Sequence, residues 1–407
     1  MRPEDIGLGA WRKQHVGTRL AFANQIGIDH STVFRWETGK SQPEYRHRQA
    51  IAETYNLDIA QLNTLLEQTK NAFNPAAAAW DNVKAVRAQT ESLQESNLEP
   101  HDLGHLEREL WRIVAEYEHH GPSELAPKAV TLRKCVHRLL QGRQNLRDRQ
   151  HLYRIAAQLA GLLSYMAVNT GRFHLAEAYC QQALGLADEL NDVGLQIWAW
   201  GTRSFCRYYQ DDYIGAYQAA AQGRELAPAN PQAIRLLANG EARALGRLGD
   251  RAGVNAAVER ALDLLECHAV HPDLTPCISF EPYGYMRVAA NAATAYVALG
   301  DTHRVLRYTH NVESSVEQAD SNWSRALVNL DLAQVLLRQP KPDLEQALHL
   351  GRQALEVSAQ HPIRSVWQRS QELHALALTW AGEACVTEFT DALRTWRTSD
   401  PVREISG

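Results

Sequence analysis

The sequence predicts an all-α protein with two parts, a small N-terminal domain and a long array of helical hairpins. The chain has 407 residues, more than a single hydrophobic core usually holds. Near its start, two short segments with helical apolar spacing are joined by a glycine turn. Farther on, helical segments recur with similar turn residues. We therefore divide the chain into a domain at 1–70, a helical linker at 71–105 and a repeat domain at 106–400.

The composition is that of a globular protein. Hydrophobic residues make up 45% and charged residues 22% of the chain, which excludes a disordered or collagen-like chain. We find neither a long apolar run nor the apolar core of a signal peptide, so we expect a cytoplasmic protein that does not bind membranes. The six cysteines form no CxxC pair, and we expect no disulfides.

Motifs for metal binding or catalysis are scarce. Cys267, His268, His271 and Cys277 are residue types that bind zinc, but their irregular spacing in a proline-containing loop favours coincidence. We find no phosphate-binding loop, no GxSxG and no HExxH motif. We therefore predict no metal ligands, no cofactor, no catalytic residues and no enzymatic activity.

Charge is distributed unevenly along the chain. The formal net charge is −5, yet residues 1–70 carry 9 basic and 8 acidic side chains. Between Arg12 and Arg48 the count is 7 basic against 3 acidic. A basic face for nucleic acid is therefore possible in the N-terminal domain, and the excess acid lies downstream.

The segment "TRLAFANQIGIDHSTVFRWETGKSQP" predicts two short helices. Thr18 is a good N-cap for the first helix, which ends at Gly27. Asp29 caps the second helix, and Gly39 ends it. Two such helices joined at a glycine form a helix-turn-helix unit, whose second helix lies in a major groove of DNA.

The second helix has distinct inner and outer faces. Val33 and Trp36 face inward at helical spacing. The outer face carries mainly polar side chains, namely His30, Ser31, Phe34 and Arg35. We expect the outer face to contact base edges.

The same segment resembles the XRE (phage repressor and Cro) type of helix-turn-helix. The shared features are Phe22-Ala23, Gly27, Ser31-Thr32, the run Trp36-Glu37-Thr38-Gly39, and Pro43. With the later segments "YRHRQAIAETYN" and "DIAQLNTLLEQ", the resemblance implies a five-helix, lambda-repressor-like domain that binds double-stranded DNA.

The resemblance also implies roles for single residues. Those roles are base-edge contacts by His30, Ser31 and Arg35, a phosphate contact by Arg19, and DNA-backbone contacts by Lys40 and Ser41. General chemistry agrees, because arginine can bond two guanine atoms together and lysine neutralises phosphate without reading sequence. Phe34 either contacts a thymine methyl group or rests on the neighbouring helix, and both alternatives stay open. Glu37 is expected to be structural, binding the local backbone.

A repeat with a period of about 40 residues follows. Its turns align at Gly171, Asp211, Gly249 and Gly300. The last interval is longer because "CHAVHPDLTPCISFEPYG" is inserted. Each interval predicts one helical hairpin.

These hairpins resemble degenerate tetratricopeptide repeats. The matching residues are Gly171, Phe173, Ala176 and Ala183 in one unit and Tyr213, Ala216 and Pro228 in the next. The resemblance covers about residues 110–400, with a weaker unit around Gly121 and two more after Asn322. It implies a right-handed solenoid with a concave face formed by the first helix of each hairpin.

Ten outward residues on those first helices are candidates for binding an effector. They are Tyr165, Asn169, Phe205, Tyr208, Tyr209, Asn239, Arg243, Arg287, Asn291 and Asn329. Asparagine amides match a peptide backbone because each offers a donor and an acceptor. The aromatic residues serve equally well as core between repeats.

The combined architecture resembles the peptide-responsive quorum-sensing regulators of Gram-positive bacteria and similar actinomycete regulators. It implies a sequence-specific transcriptional regulator whose solenoid forms a homodimer and binds a small effector, with a peptide as the favoured class. The alternative is a protein-interaction scaffold whose helix-turn-helix domain does not read DNA.

Overall fold

A computed structural model of the protein describes residues 2–73, 81–270, 274–318, 321–403 and 405. Within these ranges every regular element is helical, which confirms the predicted all-α class. The chain forms two compact units, Met1–Gln94 and Glu95–Gly407. Their division falls inside the stretch predicted as a linker.

The first unit contains the five predicted helices. They are α1 (Gly7–His15), α2 (Arg19–Ile26), α3 (His30–Glu37), α4 (Tyr45–Tyr55) and α5 (Ile59–Phe73). All five contribute buried side chains to one core, which includes Leu8, Phe22, Trp36, Ile51 and Leu62. A further helix, α6 (Val83–Gln94), buries none of its side chains, all of which are described.

Local capping sets the boundaries of the helix-turn-helix. Thr18 Oγ1 accepts a hydrogen bond from the Ala21 N–H at 3.2 Å, and Gly27 ends α2 with a φ of 71°. The Asp29 carboxylate accepts from the Ser31 N–H at 2.7 Å and so caps α3. These boundaries confirm the sequence prediction.

The second unit is an array of helices that packs mostly in sequence order. Its helices are α7 (Asp102–Leu140), α8 (Leu146–Asn169), α9 (Phe173–Glu189), α10 (Val193–Tyr209), α11 (Tyr213–Leu226), α12 (Ala233–Arg235), α13 (Arg243–Arg247), α14 (Arg251–Cys267), α15 (Tyr285–Ala298), α16 (Thr302–Gln318), α17 (Asn322–Leu337), α18 (Leu344–Val357), α19 (Arg364–Ala377), α20 (Ala384–Thr398) and α21 (Asp400–Arg403). A π-helical segment, Leu236–Ala242, joins α12 to α13.

The hairpin turns fall at the predicted residues. Gly171, Gly249 and Gly300 have φ angles of 72°, 79° and 66°. The fourth turn residue, Asp211, adopts the same left-handed region with a φ of 62°. Around Gly121, where a weaker unit is predicted, α7 is interrupted by a φ of 72° and a ψ of 174°.

Alternate helices of this unit form an inner layer. It consists of α8, α10, the α12–α13 stretch, α15, α17 and α19, and each packs against the next. The last inner helix, α19, also contacts the first, α8. In addition, the ring of Tyr117 on α7 meets that of Trp323 on α17 with centroids 5.1 Å apart. The inner layer therefore closes upon itself around a central region.

The inserted segment between α14 and α15 packs into this closed layer. The buried Trp198 donates from its indole Nε1 to the Ser279 carbonyl at 2.7 Å, and Phe280 packs on the same indole. Gly161 permits the close approach of Trp198, since a Cβ at this glycine would lie 2.6 Å from the indole Cζ3.

Candidate nucleic-acid interface and effector cavity

The outer face of α3 is open to solvent. His30, Ser31 and Arg35 are exposed, whereas Val33 and Trp36 are 0% and 3% exposed. The helix therefore divides into the inner and outer faces that the sequence predicts.

Glu37, at the end of α3, is fully buried between two arginines. Its carboxylate accepts from Arg12 Nε and from Arg19 Nε, each at 2.5 Å. Arg12 also donates to the Gly17 carbonyl. Glu37 is thus a structural residue, as predicted. Its partners differ from the prediction, because its carboxylate binds two guanidinium groups rather than the backbone.

Arg19 is held within the domain on two further sides. It pairs with Glu4 at 3.2 Å, and its guanidinium lies 5.1 Å from the centroid of the Phe34 ring. Phe34 therefore rests against α2 through Arg19 while remaining 40% exposed. The phosphate contact of Arg19 stays a prediction.

The remaining cations between residues 12 and 48 fall into two groups. Lys13 and Arg46 pair with acidic neighbours at 3.1 and 3.3 Å, and Arg48 donates to Pro43, Asn63 and Gln42. Arg35 and Lys40 are exposed and have no carboxylate partner among the described residues. These two cations are therefore free to meet an external anion.

Ser41 follows Lys40 and is partly buried. Its hydroxyl has no hydrogen-bond partner within the described part of the chain. A buried hydroxyl without a partner carries a desolvation cost. The DNA contact of Ser41 stays a prediction.

Eight of the ten predicted effector residues line one cavity in the second unit. They are Tyr165, Asn169, Phe205, Tyr209, Asn239, Arg243, Arg287 and Asn291. The cavity has a volume of about 80 Å³. The inner layer therefore brings together side chains from α8, α10, the π segment, α13 and α15.

Tyr208 and Asn329 do not line this cavity. Tyr208 is buried, with the Arg243 guanidinium 4.2 Å from its ring centroid, and its hydroxyl accepts from Arg247 Nε at 3.0 Å. Tyr208 therefore packs against Arg243, a lining residue, without lining the cavity itself. Asn329 is half-buried on α17.

Two buried ion pairs in the cavity lining were not predicted from the sequence. Arg287 Nη2 lies 2.7 Å from Glu118 Oε1, and Arg369 Nη1 lies 2.9 Å from Asp331 Oδ1. Asp331 also accepts from the Thr294 hydroxyl at 2.8 Å. Both cations are thereby neutralised inside the protein.

The two carboxylates respond differently to burial. Burial opposes ionisation of Glu118, but the Arg287 charge and hydrogen bonds outweigh it and hold the pKa of Glu118 below its ordinary value. Burial of Asp331 dominates over the Arg369 charge and raises the pKa of Asp331. Glu118 is therefore the more firmly ionised of the two.

Arg243 is the third buried cation of the cavity and has no carboxylate partner among the described residues. It is 4% exposed and donates from Nη2 to the Tyr209 hydroxyl at 2.8 Å. Its Nε has no hydrogen-bond partner in the described part of the protein. The lining thus holds one more positive than negative side chain.

The π-helical segment places an amide beside this cation. Asn239, at its centre, donates from Nδ2 to Asn291 Oδ1 at 3.2 Å, and Asn291 donates to the Arg287 carbonyl at 2.7 Å. π-Helical turns are rare and are often found at functional sites. Arg243 is the first residue of α13, directly after this segment.

The inserted segment forms one wall of the cavity through Leu274, Cys277 and Tyr283. The Cys277 N–H donates to Glu118 at 2.7 Å, and the Thr275 carbonyl accepts from Arg287 Nε at 2.5 Å. The same ion pair therefore anchors this wall to α7 and α15.

The residues considered as zinc ligands form no metal site in the described part of the chain. His271 lies outside the described residues, and no group of three or more metal-binding side chains is found among those described.

No helix in the described ranges combines the length and apolar character needed to cross a membrane.

The fold and the exposed face of α3 define the N-terminal unit as a helix-turn-helix domain. Residues 8–62 match the helix-turn-helix family model HTH_3, which supports a DNA-binding regulator. No curated protein matches the chain. The likeness of the second unit to tetratricopeptide repeats is not confirmed by a family match.

Proposed function

We propose that the protein is a sequence-specific transcriptional regulator that reads DNA with α3 and senses a small effector with its helical array. One observation carries the proposal: α3 presents His30, Ser31 and the unpaired Arg35 to solvent, within the domain matched by the helix-turn-helix family. An exposed recognition helix with a free arginine suits guanine readout in the major groove.

The cations of the domain have different partners, and this difference supports the proposed mode of binding. Arg12 and Arg19 hold Glu37 and fix the angle of α3, whereas Arg35 is available for a base. Lys40, just beyond the helix, is available for a phosphate. Base contacts set the preferred sequence, and phosphate contacts set affinity and its dependence on salt.

A homodimer follows from the modest charge of the domain. Two free cations give weak binding on their own, whereas two domains on half-sites about 34 Å apart raise both affinity and specificity. We assign dimerisation to the helical array, since most large apolar side chains of α1–α5 lie in or against one core, and those left exposed are spread over four helices as Leu20, Phe34, Tyr45 and Ile59.

The cavity of the helical array is the proposed effector site. Its supporting features are the paired amides of Asn239 and Asn291, the aromatic wall and the buried Arg243. A short peptide is the favoured effector class, with one terminal residue in the cavity. Effector binding must then change DNA affinity by a reciprocal factor, about 5- to 150-fold in typical couplings.

Selection of random DNA duplexes by the purified full-length protein tests the proposal. We expect enrichment of a two-fold symmetric sequence, and we expect the Arg35→Ala variant to lose preference at one base position of each half-site. If the wild-type protein enriches no sequence at low salt, the scaffold alternative replaces the regulator. Lys13→Ala, which removes an exposed cation of α1 that pairs with Asp5, is the matched control.

A further inference from the structure

The charges that line the cavity do not balance. Arg287 is matched by Glu118 at 2.7 Å, and Arg369 is matched by Asp331 at 2.9 Å. Arg243 is left as an extra positive charge that is 4% exposed. A buried charge that forms no ion pair is costly, so its presence needs an explanation.

The protein groups around Arg243 stabilise the cation only in part. The Tyr209 hydroxyl accepts one hydrogen bond at 2.8 Å, and the Tyr208 ring lies 4.2 Å from the guanidinium carbon. Both groups are neutral. Asp331 makes its direct contacts with Arg369 and the Thr294 hydroxyl and acts on Arg243 through its charge without forming an ion pair with it. Arg243 Nε lacks a partner in the described part of the protein.

From this arrangement we infer that the effector carries a carboxylate, which binds Arg243 beside the Asn239 amide. This inference rests on the proposed effector site and names the chemistry of its ligand. One negative charge neutralises the lining, and a planar carboxylate matches the fork of donors on a guanidinium. A phosphomonoester, with a charge of about −1.5 to −2 at neutral pH, would leave excess negative charge beside Glu118 and Asp331.

The cavity volume limits what enters together with the carboxylate. A volume of about 80 Å³ corresponds to roughly half a dozen water molecules at about 10–15 Å³ of accessible volume each. The space suits a carboxylate with a short chain. Two sources share this chemistry, a free short-chain acid and the C-terminal residue of a peptide.

Titration of the full-length protein with butyrate and with butyramide tests the inference, because the two compounds have the same shape and differ in charge. We expect butyrate to bind roughly 10- to 100-fold more tightly than butyramide, as for hydrogen bonds to charged groups. N-acetyl-alanyl-alanine and its C-terminal amide form the peptide arm. Stronger discrimination in one arm identifies the source, and equal binding of acid and amide in both arms overturns the inference.

Two variants assign the preference to Arg243. Arg243→Met should remove the discrimination between acid and amide. Arg247→Gln should retain it, because Arg247 contacts the same Tyr208 but pairs with Glu372 and does not line the cavity. Retained discrimination in folded Arg243→Met would contradict the assignment.

Thermal unfolding without ligand gives an independent readout. If Arg243 serves to bind a ligand, Arg243→Met should lower the melting temperature less than Arg287→Met does, because Arg287→Met leaves the Glu118 carboxylate buried without a counter-ion. An equal or larger loss for Arg243→Met would make Arg243 a structural residue. Neither titration nor unfolding involves DNA, so the regulator proposal can stand if this inference fails.

Discussion

The Glu118–Arg287 pair is expected to be the most sensitive electrostatic contact of the helical array. Arg287 donates to Glu118, to the Thr275 carbonyl and to the Ser324 hydroxyl. It thereby joins α7, the inserted segment, α15 and α17. Arg287→Met keeps an apolar stem of similar length and removes all of these hydrogen bonds.

The size of the effect follows from the charge that remains. The side chain of Glu118 is 11% exposed, so the carboxylate loses its counter-ion in a place that water barely reaches. Removal of one partner of a buried ion pair costs about 3–5 kcal/mol. We therefore expect Arg287→Met to lower the free energy of unfolding by about 3–5 kcal/mol at pH 7.

The contribution of Glu118 to the free energy of unfolding depends on pH in a defined direction. In the wild-type protein the pKa of Glu118 is lowered, so its stabilising contribution is present above the unfolded-state pKa of about 4.3 and is lost as the pH falls through the lower folded-state pKa. In Arg287→Met, burial alone should raise this pKa, and stability should fall as the pH rises. The difference between the two proteins should therefore shrink as the pH approaches 4.

Urea unfolding of wild type, Arg287→Met, Glu118→Gln and the double variant measures these quantities. The double variant should be more stable than Arg287→Met by about 1–3 kcal/mol, because the stranded charge is gone. A loss below about 1 kcal/mol for Arg287→Met, or a double variant no better than Arg287→Met, would refute the reasoning.

Three further predictions concern other parts of the protein. Gly161→Ala should destabilise the helical array by about 1–3 kcal/mol in urea unfolding, since its Cβ would lie 2.6 Å from the Trp198 ring; an unchanged midpoint would show that the indole moves aside freely. Glu37→Gln should destabilise the N-terminal domain by about 3 kcal/mol and weaken DNA binding, because Arg12 becomes an unpaired buried cation; unaltered hydrogen exchange in α3 would contradict it. Deletion of residues 1–70 should leave a dimer by light scattering at micromolar concentration, and a monomer would move the interface to the N-terminal domain.

Local features of the fold were predictable because neighbouring residues determine them. The caps Thr18 and Asp29 act on N–H groups two or three residues away. The turns need a left-handed residue, which Gly171 supplies at no steric cost. Helical spacing also placed Asn239 and Arg243 on one face, one turn apart.

Long-range partners could not be predicted in the same way. Arg287 and Glu118 are 169 positions apart and meet only because α7 packs against the later helices of the array, including α17. One signal was present in the sequence, since Asp331 interrupts the apolar run "ALVNLDLAQVLL" and a buried acid needs a cation. Tyr208 and Tyr209 differ by about 100° around their helix, which is why one supports the cavity from outside and the other lines it.

DNA affinity of wild type, Arg35→Ala and Lys40→Ala over a range of salt concentrations tests the central claim most directly. Each protein is titrated against the selected duplex and a scrambled duplex. Arg35→Ala should weaken binding to the selected duplex by about 1–3 kcal/mol and leave binding to the scrambled duplex nearly unchanged. Lys40→Ala should weaken both alike and reduce the salt slope by about one. Equal losses on both duplexes for Arg35→Ala would contradict base readout by α3.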